Sequence, residues 1–350
     1  MRKIITIRLS AMGDVLLTVP AIQGVIQANP DLEITLVTQK IYAPFFNGIP
    51  RVRLLFPEFK GRHKGIIGIL KLYADLKKEG PFEAVIDLHG VIRTRIIAFL
   101  FKKTGTPVFS IDKGRKEKNF LIKSKYIRFL KHATERYLDT FTRAGFRGQI
   151  GKAPYLIVNE DSNLKVNIFL DKHGINRSKL KIGLAPFAAY QSKIWGIQNF
   201  RDLVTQINEQ HNVEFFLFGG GKIEIDQLKD FQLFSPNLHL VAGELELSEE
   251  LALVKILDFM ISMDSSNMHL SALSAIPTVS IWGGTHPAIG FFALGQPTAY
   301  HLQTPVSSLR CRPCSVFGNK PCIFPTPRCM EMVKPLDVYD KLIEFNLLKA

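Results

Sequence analysis

The chain reads as an α/β protein with parallel sheets divided between two domains, and three observations say so. Strand-like and helix-like segments alternate along the whole length, the pattern of a sheet whose strands are joined by crossover helices. The first twenty residues form a strand, a small-residue loop and a helix start, a unit that places its loop at the carboxyl edge of a parallel sheet. The length of 350 residues exceeds one typical core and suits two.

In order, residues 4–9 are β-branched and apolar enough for a strand, and 10–13 are turn-compatible. The apolar run 15–19 starts a helix that continues over 22–28, with Pro20 kinking or restarting it. Strands follow at 32–38 and 54–56, then a helix at 65–78 with an apolar stripe of Ile66, Ile69, Leu70, Tyr73 and Leu76. Residues 82–89 are the clearest buried strand of the first half and lead into a helix at 91–101. A basic loop spans 113–118, and His132 opens another helix. Glycines, Pro154 and polar residues mark a boundary over 145–178, with a helix near 164–173, so the second domain begins near residue 175. There, strands are expected at 182–185, 213–218, 238–241, 259–263 and 278–282. Helices are expected over 199–208, from 247 with Ser248 as N-cap, after Asp264, and over 336–348 behind Pro335.

Composition narrows the function. No uncharged apolar run approaches the roughly 20 residues that span a bilayer. Arg8 and Asp14 interrupt the first apolar stretch, unlike a signal peptide, so a cytoplasmic protein is expected. A net charge of +14 calls for an anionic partner: nucleic acid, a membrane surface or a phosphorylated substrate. All four cysteines, Cys311, Cys314, Cys322 and Cys329, fall in one segment. Their C-x2-C start has metal-ligand spacing, leaving structural zinc, redox-sensitive pairs or plain reduced thiols as readings.

Several side chains stand where chemistry is done. Asp14 is either a helix cap or the one carboxylate facing the crevice of the first sheet. Arg93 and Arg95 near a helix start are solvated charges or anion ligands, as are Lys113, Arg115, Lys116 and Lys118. His132 and Arg136, four apart, share a helix face. Lys193 lies in a strand-to-helix loop beside Trp195. Gly219, Gly220 and Gly221 suggest a dinucleotide turn, but Glu224 stands where that fingerprint needs a small residue, which weakens an NAD reading. The helix start at Asp264, Ser265 and Ser266 suits a diphosphate, with Gly284 and Thr285 as further donors. No Asp-x-Asp pair occurs to hold a metal on a nucleotide diphosphate.

Three stretches carry a resemblance: Ile7-Arg-Leu-Ser-Ala-Met-Gly-Asp14-Val-Leu-Leu-Thr-Val-Pro20, Lys193-Ile-Trp195, and Asp264-Ser-Ser-Asn-Met-His269-Leu with Gly284-Thr285. They resemble the ADP-heptose:lipopolysaccharide heptosyltransferases of glycosyltransferase family 9, in a heptosyltransferase II-like form. Gly196 replaces the family's Pro and Ser266 its usual Gly. The resemblance implies the glycosyltransferase-B architecture, two Rossmann-like domains facing a central cleft. Residues 1–160 would hold the acceptor, 175–330 the nucleotide sugar, and a helix at 335–350 would return to the first domain. It implies an inverting, metal-independent transferase with Asp14 as base and Lys193 on the donor phosphates, and no cofactor for catalysis. Ser10, Gly13, Glu224 (on the ribose), Asp264, Ser265, Ser266, His269, Gly284 and Thr285 would also serve the donor. Arg93, Arg95, Lys113, Arg115 and Arg136 would serve the acceptor. The partners implied are ADP-heptose, an anionic lipid A-core acceptor and, peripherally, the inner face of the cytoplasmic membrane, with no nucleic acid. A transferase for another nucleotide sugar and a non-catalytic nucleotide-sugar-binding protein are the alternatives.

Overall fold

The computed structural model describes residues 1–348, so the end of the helix expected over 335–350 lies outside the described residues. The chain forms two compact units. Unit 1 comprises residues 1–114 and 131–157, and unit 2 comprises 115–130 and 158 onward.

Unit 1 is built on five strands: β1 (Arg2–Ile7), β2 (Leu32–Val37), β3 (Val52–Leu55), β4 (Ala84–Asp87) and β5 (Val108–Ser110). Every pairing is parallel, in the order β3-β2-β1-β4-β5. Ile4, Ile5 and Ile7 have no exposure, as expected for a central strand covered on both faces. The strand order reverses between β1 and β4, which makes the carboxyl ends of those two strands the crevice of the sheet. Helix α1 (Met12–Leu16) is one short turn, and α2 (Val19–Ala28) restarts at Pro20, whose missing N–H costs nothing at a first turn. Helices α3 (Gly65–Lys78) and α4 (Ile92–Lys103) pack against each other. The buried stripe of α3 is Gly68, Ile69, Leu72 and Leu76; Ile66 and Leu70, expected inside, are exposed. Gly68 explains the rotation, because its Cα lies so close to the His63 backbone that a Cβ would collide there.

After Gly114 the chain leaves unit 1, adds α5 (Arg115–Ser124) to unit 2, and returns with α6 (Ala133–Arg143). The expected boundary near 160 is therefore crossed earlier, and the expected basic loop at 113–118 is largely helix. Leu121 and Leu130 pack with Ala288 and Ile289, and the Leu130 N–H donates to the Ala288 carbonyl at 2.8 Å.

Unit 2 carries six parallel strands: β6 (Leu180–Ala185), β7 (Val213–Leu217), β8 (Leu238–Leu240), β9 (Phe259–Met263), β10 (Thr278–Trp282) and β11 (His301–Gln303). Their order is β11-β10-β9-β6-β7-β8, with the reversal between β6 and β9. Its helices are α7 (Glu160–Lys172), α8 (Ile197–Gln210), α9 (Lys222–Gln232), α10 (Leu247–Val254), α11 (Ser266–Leu273), α12 (Arg328–Glu331) and α13 (Pro335–Glu344). The expected cap Ser248 lies inside α10; Glu246 is the N-cap and exchanges bonds with Glu249 in a capping box. Helix α13 does not join unit 1. Its Val338, Tyr339 and Leu342 belong to the core of unit 2, and Tyr339 Oη donates to Gln210 Oε1 at 3.2 Å. No helix of the described residues is long and apolar enough to cross a membrane.

Candidate active site

In unit 1 the crevice at β1 and β4 is organised by a buried arginine. Arg8 leaves β1 with only 6% exposure, and its Nη1 donates to the Leu88 carbonyl at 2.7 Å. Its Nη2 meets Asp14 Oδ2 at 2.5 Å, and the guanidinium sits 5.7 Å from the Tyr137 ring centre. Tyr137 also hydrogen-bonds Asp14, and burial pushes its phenol pKa up, so it stays a donor. Asp14 caps nothing: the N-cap of α1 is Ala11, which has no side-chain bond. The carboxylate is therefore gripped on its inner side while its side chain keeps 35% exposure.

The β4 end is shaped by Asp87, which accepts from the N–H groups of His89 (3.0 Å) and Gly90 (2.8 Å) and from Thr94 Oγ1 (3.0 Å). His89 is buried, and its Nδ1 has no hydrogen-bond partner among the described residues. Burial, with Arg8, Lys113 and Arg93 nearby, pushes its pKa down to about 4, so the imidazole is neutral at pH 7. Lys113 lies over Gly90, whose missing Cβ would stand 3.5 Å from Lys113 Cε. Arg93 stacks on Phe59 at 4.0 Å, and Arg95 is exposed. Residues two apart on a helix do not face each other, so Arg93 and Arg95 lie on different faces of α4.

The His132-to-Arg136 element has an architectural explanation. His132 caps α6 and exchanges bonds with Glu135, and Thr134 Oγ1 donates to the Leu17 carbonyl at 3.0 Å. Arg136 is buried in that first turn and donates from Nε to the Lys131 carbonyl at 3.2 Å. Ser10 and Gly13, expected to touch the donor, lie on the β1 loop and α1 of unit 1; Arg115, expected on the acceptor, starts α5 in unit 2.

Unit 2 gathers its candidates where β6, β9 and β10 end. A single 3-10 turn, Gln191–Lys193, follows β6, and Trp195 pins it by donating from Nε1 to the Val333 carbonyl at 2.8 Å. Lys193 Nζ reaches Asp264 Oδ2 at 3.0 Å, and Thr285 Oγ1 donates to the same oxygen at 2.7 Å. The Gly284 N–H donates to the Ser192 carbonyl at 2.8 Å; a Cβ there would stand 2.8 Å from Ser192 Oγ, so the approach demands glycine. Ser265 is the N-cap of α11 but makes no capping bond, its hydroxyl instead meeting Ser262 Oγ at 3.2 Å. Ser266, in place of the expected Gly, occupies the first turn without a positive φ, so the exchange costs no backbone strain. His269 is buried one turn further on.

Glu224 lines a cavity of about 820 Å³ together with Phe187, Gln191, Ile194, Gly221 and Gln227. Its Oε2 accepts from the Gly220 N–H at 2.8 Å. Gly221 is the α9 N-cap at φ +77°, which settles the register of the glycine run.

Sequence reasoning gave no role to Arg8, although it lies within the first stretch that carries the resemblance, and none to Tyr137 or His89. It also missed Arg312, the residue between the first two cysteines. Arg312 has no exposure and donates to the carbonyls of Gly283 (2.9 Å), Thr285 (3.0 Å) and Thr304 and to Gln303 Oε1 (2.9 Å). It thereby anchors the turn that carries Thr285, and burial pushes its pKa down to about 10. The cysteines around it are free thiols, and burial pushes Cys329 up to about 11. Among the described residues no three His, Cys, Asp or Glu side chains are grouped so as to hold a metal ion.

The model of glycosyltransferase family 9 (heptosyltransferase) matches residues 69–316. The lipopolysaccharide core heptosyltransferase OpsX of Haemophilus influenzae is 24% identical over 287 residues, covering 80% of this chain and 79% of its own. Among solved structures, the family 9 glycosyl transferase of Veillonella parvula superposes with a TM-score of 0.76 at 19% identity, over 99% of this chain and 97% of its own. The Escherichia coli heptosyltransferase WaaC with ADP-2-deoxy-2-fluoro heptose superposes with a TM-score of 0.67 at 17% identity, over 98% and 99%. The two-sheet α/β fold is theirs, and the match over most of the length settles the wider relationship: the chain belongs to glycosyltransferase family 9, the heptosyltransferase family, and is an enzyme of glycosyl transfer.

Proposed function

We propose that the enzyme transfers heptose from ADP-heptose to the inner core of lipopolysaccharide, with inversion at the anomeric carbon and without a metal ion. The observation that carries this reading is the cation and open helix start at the β9 end. Lys193 and the first turn of α11, uncapped by any side chain, offer a cation and open amides of the kind that hold a phosphate group. The named specificities of OpsX and of the WaaC complex support heptose and the ADP nucleotide.

The acceptor hydroxyl oxygen attacks the anomeric carbon as the bond to the diphosphate oxygen breaks. Asp14 takes the hydroxyl proton, and the electron pair of the broken bond leaves on ADP. Attack opposite the leaving group inverts the configuration. Arg8 and Tyr137 fix the carboxylate of Asp14, so its contribution rests on position as much as on basicity. Lys193 and the α11 amides take up the charge that develops on the leaving diphosphate. The reading assigns no task to a metal, because the acid of this cluster, Asp264, is already engaged by Lys193 and Thr285. Arg93, Lys113 and neutral His89 around the β4 end supply contacts for the acidic groups of the acceptor. Such an acceptor is anchored in lipid, so the reaction belongs at the inner face of the cytoplasmic membrane.

The test is ADP release from ADP-heptose with a heptose-deficient core acceptor, run with and without EDTA, beside calorimetric titrations of ADP, UDP and GDP. Turnover that survives EDTA and preference for ADP are expected. Preference for another nucleotide would move the enzyme to a different sugar donor, and tight ADP binding without transfer would make it a binding protein.

A further inference from the structure

We propose that the outward face of α3 docks unit 1 onto an anionic lipid bilayer. This inference rests on the lipid-anchored acceptor of the proposed function and names the surface that meets the membrane.

Helix α3 is apolar on two faces. One face, with Ile69, Leu72 and Leu76, is in the unit 1 core. On the other, Ile66 is 72% exposed, Ile67 71% and Leu70 46%. An α-helix in a soluble protein keeps its second face polar, so paired isoleucines in the open call for an apolar environment that the fold does not provide. The exposure is built in. Gly68 presses against the His63 backbone, which fixes the rotation of the helix and holds Ile66, Ile67 and Leu70 outward.

The charge around the patch selects the occupant. Lys60, Lys64 and Lys71 are exposed around it, and Arg62 is held by Asp75 at 2.8 and 2.9 Å. Between residues 58 and 78 six lysines and arginines face two acids, Glu58 and Asp75. Two copies of so basic a rim repel each other, which disfavours self-association. Anionic headgroups attract it, while the lysine stems lie along the apolar surface and carry their ammonium groups to the headgroup level.

Position completes the argument. In a parallel sheet each helix begins at the carboxyl edge of the strand before it, so the first turn of α3, behind β3, shares an edge with the Asp14 loop behind β1. Ile92, 79% exposed, opens α4 at that same edge. A bilayer touching this edge brings the sugar of a lipid-anchored acceptor to the crevice of unit 1.

The experiment is co-sedimentation of the full chain with vesicles of phosphatidylethanolamine and phosphatidylglycerol, and with neutral phosphatidylcholine vesicles. These contain no substrate, so the outcome is independent of whether ADP-heptose is the donor, which ADP titration reads separately. The wild type should bind the anionic vesicles and bind less as salt is raised. The I66S/I67S/L70S variant should partition about 10- to 100-fold more weakly, with its circular dichroism and ADP affinity unchanged. Its turnover should fall on acceptor embedded in vesicles and hold on delipidated acceptor. Undiminished vesicle binding by this variant would overturn the proposal, as would a wild type that ignores anionic vesicles. So would a wild-type dimer that the substitutions convert to monomer without affecting vesicle binding, which would make the patch a contact between copies.

Discussion

Replacing Lys193 by Met and Asp264 by Asn, singly and together, tests whether the cluster at the β9 end is a coupled ion pair waiting for a diphosphate. The two charges stand 3.0 Å apart with side chains 13% and 10% exposed, too enclosed for water to screen them fully. At an effective dielectric of about 20 their attraction is about 5 kcal/mol, and the desolvation each ion suffered on burial offsets much of it. A net coupling of about 1–3 kcal/mol is expected from the double-mutant cycle. K193M should destabilise unit 2 by about 3 kcal/mol, since it leaves the carboxylate enclosed without its cation. The double variant should recover part of that loss. Both tryptophans, Trp195 and Trp282, lie in unit 2, so urea unfolding followed by tryptophan fluorescence reads that unit selectively. In the same proteins K193M should weaken ADP by about 10- to 100-fold, the size of a lost charged hydrogen bond. Additive single effects within about 0.5 kcal/mol would show that the pair is not coupled, and unchanged ADP affinity would remove Lys193 from the donor site.

Three further outcomes follow from the geometry. Asp14→Asn should lower turnover by about 10²- to 10⁴-fold while ADP affinity, read by calorimetry, stays within twofold, the usual contribution of a general base; near-normal turnover would exclude Asp14 as base. Arg312→Met should destabilise unit 2 by about 3–5 kcal/mol, because it strands buried carbonyls, and should weaken ADP by loosening the turn at Thr285; a stable variant with normal ADP binding would refute the anchoring role. His286 and His301 are pushed down to about 4 by burial. Between that value and the ordinary histidine range near 6.5 the unfolded chain binds more protons, so unit 2 is most stable above about pH 6.5 and loses stability toward pH 4. Urea midpoints measured from pH 4.5 to 7.5 should rise with pH, with a shallower slope in His301→Gln.

How much was legible depended on whether a residue's role is local. The central strands were readable because a central parallel strand must be apolar on both faces, and residues 82–89 or 259–263 satisfy that without help from the rest of the chain; the three-residue edge strands β5 and β11, which carry no such run, were missed. The glycine turn at 219–221 was readable as a turn, but which of its three glycines carries the positive φ was not, nor was the close approach of Gly284 to Ser192. What stayed hidden depends on contacts between distant residues. Arg8 looks like an interruption in an apolar strand until Leu88, Asp14 and Tyr137 are brought to it. Arg312 looks like a solvated charge between cysteines until the turn after β10 closes over it. The stripe on α3 was misassigned because isoleucine at position 66 or 69 fits a helical period equally well, and the collision of Gly68 with His63 decides between them. Helix α5 and its placement in unit 2 were invisible because the lysines and arginines of residues 113–118 read as a basic loop, and nothing in them names the surface that Leu121 covers.

The distribution of helix caps in unit 2 joins these pieces into one electrostatic design. Helix α7 is closed by Asn159, whose side chain accepts from the Ser162 N–H at 2.8 Å, and α10 by the Glu246–Glu249 box. At α13, Asp337 accepts from the Lys334 N–H at 3.2 Å. Four helices lack such a cap: α12 starts on Pro327, α8 and α9 start on Gly196 and Gly221, which have no side chain to offer, and Ser265 turns its hydroxyl away from α11. Helices α8, α9 and α11 follow β6, β7 and β9, of which β6 and β9 flank the reversal in sheet order and β7 is the next strand out. A helix start without a side-chain cap leaves amide donors open, at about 1 kcal/mol for a serine that does not cap and about a few tenths for a glycine; at α9 the first-turn Glu224 answers part of it. At α8 and α11, where no acid stands in the first turn, Lys193 adds a full positive charge to the open amides. The carboxylate of Asp264 restrains Lys193 without supplying what the helix starts lack, and it is this want that the proposed function assigns to the diphosphate of the donor.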